Sequence, residues 1–368
     1  MKDPHQQEAQ NLLRRYEEGT CSEEELVLLE QWYNNLNLSK SELSEKEMIA
    51  DLVDLLNRLN QISNRTSYFP FKKLISAAAL LFCVCVIGFV WKNQLKKQEI
   101  EKSKLLAESI NPGSSQAILT LEDGKEYVLD KKESEIINYG DRITYRNGKA
   151  IYQNEKVQLV TLRTPKAGQY QTTLPDGTKV WLNAASSISY PTRFEDHIRK
   201  ISVKGEVYLE VIKNPEKPFI VLLPNQRIEV LGTKFNISSY ENEDIVATTL
   251  VEGSLRITEN KTKKQVLLKP GEQALVANDS KIAVKRIAAE DYTQWKDGIY
   301  LINNETLDQF GKKIERWYHV EVEMGDFKAI RLSAIMRRNI QLSEILSAIT
   351  MKTHVKFIIK GRRIVAIK

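Results

Sequence analysis

Histidine is the first side chain to weigh for chemistry, because imidazole titrates near neutral pH and binds metals. The four histidines are His5, His197, His319 and His354, and they share no local spacing. No His-Glu-x-x-His pair occurs. The cysteines are Cys21, Cys83 and Cys85, with none after residue 85. The long C-terminal part therefore has no disulfide to form and no thiolate metal site. There is no Gly-x-Ser-x-Gly elbow to present a nucleophile, no phosphate-cradling Walker loop and no Gly-x-Gly-x-x-Gly turn. Carboxylates are plentiful, so a close pair arises by chance and carries no catalytic meaning alone. His197 sits in a polar run, Arg193-Phe-Glu-Asp-His-Ile-Arg199, that reads as a surface loop between strands. Trp181 and Trp295 are candidate binding aromatics, but each lies in or beside an apolar strand pattern, and core packing is the expected role. These residues point away from an enzyme. No cofactor and no metal is expected.

With no reactive constellation, the chain must act through the surfaces that its elements position. One stretch divides them. Leu74–Val90, LISAAALLFCVCVIGFV, holds seventeen residues without a charge or a proline. As a helix it would rise about 25 Å, near the lower limit for crossing a hydrocarbon core. Ten of the seventeen are Leu, Ile, Val or Phe. Together they favour insertion by about 3 to 6 kcal/mol. Phe69, Phe71 and Trp91 suit the interfaces, and Lys72, Lys73 and Lys92 fence both ends. The run begins too far from the N-terminus for a cleaved signal peptide. A single uncleaved transmembrane helix over 74–91 is expected.

The two sides differ chemically. Residues 1–71 carry thirteen acidic against seven basic side chains, a net of −6, so with +6 overall the remainder carries +12. An acidic piece is not a nucleic-acid binder by charge. Residues 6–18 read as a helix with Ala9, Leu12, Leu13 and Tyr16 at helical spacing. Ser22 with Glu25 and Ser44 with Glu47 are capping boxes. They open a helix bearing Leu26, Leu29, Trp32, Tyr33 and Leu36, and a longer one through Ile62. Three short helices make a marginal core of the kind a partner completes. Basic residues flank the apolar run on both sides, so charge does not orient it.

Beyond the run, residues 92–115 read as a solvated, Lys- and Glu-rich stalk ending at Asn111-Pro-Gly-Ser-Ser115. From residue 116 the period becomes two. Asp123-Gly124, Asn147-Gly148 and Asp176-Gly177 mark hairpins. Leu121-Glu-Asp-Gly-Lys-Glu-Tyr-Val-Leu129 echoes Leu174-Pro-Asp-Gly-Thr-Lys-Val-Trp-Leu182, and Val203-Lys-Gly-Glu-Val-Tyr-Leu209 echoes Val251-Glu-Gly-Ser-Leu-Arg-Ile257. An all-β domain over 116–290, built as stacked β-coils or a sandwich, is expected. Residues 295–368 follow the order βαββαββ, a separate small α+β domain, with Ser343 expected to cap its second helix. The fold class is thus multidomain: an all-α piece over 1–70, one membrane helix, an all-β domain and a C-terminal α+β domain.

The β region resembles the FecR family of anti-sigma regulators. The resemblance rests on Arg163-Thr-Pro-Lys-Ala-Gly168, Leu174 to Asn183, Ala185-Ser-Ser-Ile-Ser-Tyr-Pro191, Val203 to Val211, Pro218-Phe-Ile-Val221, Val230-Leu-Gly-Thr-Lys-Phe-Asn-Ile237, Leu250-Val-Glu-Gly-Ser-Leu255 and Lys269-Pro-Gly-Glu-Gln273, with a core over 162–257. The segment from Trp295 is similar to the module that accompanies this family in Bacteroidetes-type proteins, itself similar to the N-terminal module of secretins and TonB-dependent transducers. The N-terminal helices are similar to the family's sigma-binding region. The resemblance implies an inner-membrane protein with a cytoplasmic N-terminus and a periplasmic C-terminus. It implies that the helices hold an extracytoplasmic-function sigma factor, for which Leu12, Leu29, Trp32 and Leu36 are the candidate contacts. It further implies a signal from the signalling domain of a TonB-dependent outer-membrane transporter. Release would follow proteolysis; Ser76, Ala77–Ala79 and Gly88 would ease helix unwinding for an intramembrane protease, or helix packing. The alternative is a membrane-anchored periplasmic scaffold or cell-wall-binding protein without sigma-factor control.

Overall fold

The structure, a computed structural model, describes residues 106–368 together with Arg15, Thr20, Ser22 and Ser103. The candidate contacts Leu12, Leu29, Trp32 and Leu36 and the apolar run 74–90 lie outside the described residues. Among the described residues, no helix is long and apolar enough to cross a membrane. The described residues from Ser103 onward belong to one compact unit.

From Ser114 to Arg286 the period-two pattern folds into nineteen strands. They form two facing sheets that share one long strand, Arg199–Glu210. Its first half pairs with Ser187–Ser189 and, in parallel, with Phe219–Leu222 in one sheet. Its second half pairs with Lys179–Leu182 and Lys234–Ser239 in the other. Alternation aims Ile201, Val203, Val207 and Leu209 inward, where they are buried. Leu162, Tyr190, Phe219 and Val221 from one sheet meet Ile136, Val180, Phe235 and Ile237 from the other in a single apolar core. Of the two expected architectures, this is the sandwich.

The sequence echoes have a structural meaning. The first is a hairpin turn used three times. At Leu121, Tyr145 and Leu174 the amide bonds the carbonyl four residues on, and a glycine at positive φ donates back. Asp123, Asn147 and Asp176 each accept the amide two residues later, at 2.9, 2.9 and 3.0 Å. The second echo marks where the chain passes from sheet to sheet. Gly205 (φ 78°) stands at the bend of the shared strand, and Gly253 (φ 94°) between Ile245–Glu252 and Leu255–Glu259, which lie in opposite sheets. A Cβ on Gly205 would lie 2.7 Å from the Ala185 carbonyl oxygen.

Three expectations are corrected. Arg199 belongs to no surface loop; it opens the shared strand and is 1% exposed. Its guanidinium donates to Asp176 (2.8 Å), the Ile212 carbonyl (2.8 Å) and the Lys217 carbonyl (2.9 Å), and lies over Phe219. The described part of the stalk does not stand in solvent. Ser103, Ala107 and Ile110 are buried, and Ala107 and Ile110 join the core of the C-terminal domain. The Lys and Glu content masked a short apolar face. Ser114–Ser115 then pairs in parallel with Gly168–Gln169.

The C-terminal domain has the expected order. Strand Ile299–Thr306 leads into helix Leu307–Tyr318, which Thr306 and Gln309 cap reciprocally. Strands Glu321–Glu323 and Arg331–Arg337 follow, then helix Leu342–Thr353 and the hairpin Lys356–Lys360 with Arg363–Ile367. Gln341, not Ser343, stands at the N-terminus of the second helix, and Glu344 accepts its amide at 3.2 Å. The strands form separate two- and three-stranded sheets, and Phe310, Ile314, Ile345 and Ile349 of the helices share one core with Ile302, Leu332 and Ile364 of the strands.

Two outcomes are expected. Gly205→Ala forces a Cβ into a left-handed residue at the sheet crossing and lowers unfolding free energy by about 2 kcal/mol or more, measured by denaturant titration. The Glu259 carboxylate accepts the Thr262 hydroxyl and the amides of Lys261 and Thr262, and also bonds Ser280 in a turn of the opposite sheet. The Thr262 hydroxyl leads the effects that lower its pKa to about 2. Its unfolded value is about 4.3, so its contribution is complete above that pH and is lost as pH falls toward 2. Glu259→Gln should flatten the acid limb of a stability-against-pH curve in that window and leave its slope near neutrality unchanged.

Candidate coupling site between the sandwich and the C-terminal domain

Polar side chains in the middle of β-strands need partners when something covers them. Three such residues point outward from the second sheet: Asn183 after strand Lys179–Leu182, Glu206 on the shared strand and Asn236 on Lys234–Ser239. The C-terminal domain and its linker cover them. Asn183 donates to Glu206 Oε2 at 2.6 Å and Asn236 donates to Glu206 Oε1 at 3.1 Å. The Trp295 indole N–H donates to Asn236 Oδ1 at 3.1 Å. Arg338 donates through one nitrogen to Asn183 Oδ1 and through the other to the Trp295 carbonyl, both at 2.7 Å. These bonds close a ring: Arg338, Asn183, Glu206, Asn236, Trp295 and back to Arg338.

Arg338 is 2% exposed. Its guanidinium carbon lies 3.8 Å from the centroid of Trp317 and 5.2 Å from that of Tyr300. A weakly hydrated, planar cation on aromatic faces is the form in which a charge is least costly to bury. Its counter-charge is Glu206, one amide away through Asn183. The aromatic wall is fixed in turn. Trp317 donates to the Arg338 carbonyl at 2.7 Å, and Gly113 packs where any Cβ would collide with the Trp317 ring. Burial pushes the Tyr300 hydroxyl up to about 12, so the ring stays neutral beside the arginine.

A second arginine contact lies nearby. Arg316 of the first helix donates to Glu243 at 2.8 Å and covers the Tyr240 ring at 3.7 Å. Burial raises the Tyr240 pKa, so its hydroxyl keeps the proton it donates to the Ala184 carbonyl at 3.1 Å. The Arg316 carbonyl accepts the Ala167 amide at 2.8 Å. Ala184 of the sandwich packs within the apolar cluster of the C-terminal domain. The two domains are therefore joined by charge, hydrogen bonds and shared apolar packing.

The residues weighed for chemistry are scattered. His197 is exposed, as expected, and His319 and His354 are exposed residues that end the two C-terminal helices at φ 51° and 58°. Among the described residues, no three His, Cys, Asp or Glu side chains are placed to hold a metal. Trp181 is half-buried on the outer sheet face against Tyr208, and Trp295 belongs to the ring above and to neither apolar core. Sequence reasoning passed over Arg338, Glu206, Asn183 and Asn236. Asn183 and Asn236 carried a signal, as single polar residues between apolar neighbours, whereas Arg338 lies in the polar run Arg337-Arg338-Asn339 and carried none.

Arg338→Met leaves the Glu206 charge without compensation and is expected to lower stability by about 3 to 5 kcal/mol, read by calorimetry. Lys at 338 should fail to restore it, since one ammonium cannot reproduce two divergent N–H donors and a stacked plane. Adding Glu206→Gln to Arg338→Met should recover part of the loss, because no charge is then left unpaired.

Comparison with known proteins bears on this pair of domains. Residues 160–256 match the FecR protein family and residues 299–366 match the FecR C-terminal family. Two crystal structures of a candidate anti-sigma factor from Parabacteroides distasonis align at 28% identity and a TM-score of 0.53. The alignments cover 56% and 57% of this chain and 98% and 99% of those chains. No curated protein sequence matches. The chain thus carries a FecR domain and a FecR C-terminal domain, packed against each other through one ring of hydrogen bonds.

Proposed function

We propose that this chain is an anti-sigma regulator of the inner membrane. Residues 1–70 hold an extracytoplasmic-function sigma factor in the cytoplasm. The helix over 74–91 crosses the membrane. The sandwich and the C-terminal domain stand in the periplasm and receive a signal from the signalling domain of a TonB-dependent outer-membrane transporter. The signal ends in release of the sigma factor by proteolysis near or within the membrane. The observation that carries this proposal is the fusion of the FecR and FecR C-terminal domains into one unit that follows the apolar run. The similarity to the candidate anti-sigma factor supports the same direction.

The test is capture. Residues 1–70 should retain a sigma factor from a host lysate, and a folded fragment that retains none contradicts the proposal. Trp32→Ala should weaken capture by more than about 1 kcal/mol, measured by calorimetric titration, if Trp32 anchors the contact. Replacing Ala77–Ala79 with Leu should block signal-dependent cleavage in cells while leaving capture intact.

A further inference from the structure

Among the described residues, strand Arg331–Arg337 is hydrogen-bonded on one side only, to Ile299–Thr306. Beside it runs a groove of about 460 Å3, floored by Leu332, Ala334, Met336, Ala348 and Ile349 and edged by Ile335 and Met351. Ile335 is 76% exposed and Met351 75%, unusual values for large apolar side chains flanking one cleft. Sheet edges are normally blunted by lysines, proline or a bulge. Here the middle of the edge is Ala334-Ile335-Met336, and charge appears only at the ends, as Arg331 and Arg337. Lys352 adds an exposed cation at the groove itself, while Arg331 and Arg337 stand at the strand ends. The stretch Arg331–Arg338 contains no acidic residue.

We propose that this edge receives an extended, acidic segment of another protein, which adds a strand to the two-stranded sheet. Main-chain bonds along seven residues would supply affinity, and alternate side chains would enter the groove against the second helix. Apolar residues suit the groove; Asp or Glu suit the ends, opposite Arg331, Arg337 and Lys352. The charge pattern also argues against a second copy as occupant. Antiparallel self-pairing centred on Ala334 places Arg331 of each copy against Arg337 of the other, and like charges directly opposed destabilise a ladder. That the partner resides in the envelope rests on the function proposed above; the edge and its charge preference do not.

The test uses the full chain in detergent and two fluorescent peptides, Glu-Val-Glu-Val-Thr-Val-Glu-Val-Glu and the same sequence with Lys for Glu. The acidic peptide should bind at least about tenfold more tightly at low salt, with the difference shrinking as salt rises. Amides within 331–337 should gain protection from hydrogen exchange. Ile335→Asp and, separately, Met351→Glu should each weaken binding by about tenfold or more without shifting the melting temperature, since both side chains face solvent. Equal binding of the two peptides, binding indifferent to both substitutions, or protection confined to another strand overturns the proposal. So does self-association that Ile335→Asp abolishes, which would assign the edge to a second copy. Sigma-factor capture by the same preparation is read separately: its failure alone removes the proposed function and leaves the edge assignment standing.

Discussion

The C-terminal half of this molecule turns on one buried cation. Arg338 cannot be solvated where it sits, and a guanidinium without water needs either a carboxylate or a complete set of acceptors on an aromatic support. Arg338 has acceptors for its two terminal nitrogens but none for its Nε, an aromatic support, and a carboxylate at one remove. Asn183 stands between Arg338 and Glu206 and offers its oxygen to one and its nitrogen to the other. A side-chain amide can do both at once. The joint is directional as a result. Sliding the C-terminal domain across the sheet would part Arg338 from Asn183 and Trp295 from Asn236 together, leaving a buried cation and an indole N–H short of acceptors. A joint of this kind holds one arrangement of the two domains strongly.

Much of the architecture was legible in the chain. Period-two alternation placed the strands, glycine-containing turns placed three hairpins, and the βαββαββ order of the C-terminal domain emerged as read. The internal echoes proved to be geometry. One is a turn whose Asp or Asn caps its own backbone. The other is a glycine at which the chain leaves one sheet for the opposite one. Neither signals a repeat of constant length, which is why periodicity alone could not choose between stacked coils and a sandwich. That choice depends on which strands share a core, a long-range fact.

The site was less legible, for a physical reason. Charge rules assign Arg and Glu to the surface unless a partner is visible, and partners 132 residues apart, as Glu206 and Arg338 are, are not visible in a sequence. Arg199 was misplaced in the same way: its run, Glu195-Asp-His-Ile-Arg199, is polar on average, but the last residue begins a strand and turns inward. Trp295 shows the opposite error. An apolar context suggested core, whereas its indole N–H made it a bonding partner at a domain boundary. The short apolar face of Ala107 and Ile110 was diluted by charged neighbours and so read as solvated.

If the ring is one cooperative unit, its members must open together. Native-state hydrogen exchange measures this directly. The amide of Asn183 bonds the Glu206 carbonyl in the sandwich, and the amide of Arg338 bonds the Gly298 carbonyl in the C-terminal domain. The account predicts one opening free energy for both, falling by the same amount under increasing denaturant. An Arg338 amide that opens at a distinctly lower free energy, with its own shallower denaturant dependence, would show that the C-terminal domain detaches while the sandwich stays folded, and would contradict the coupling described here.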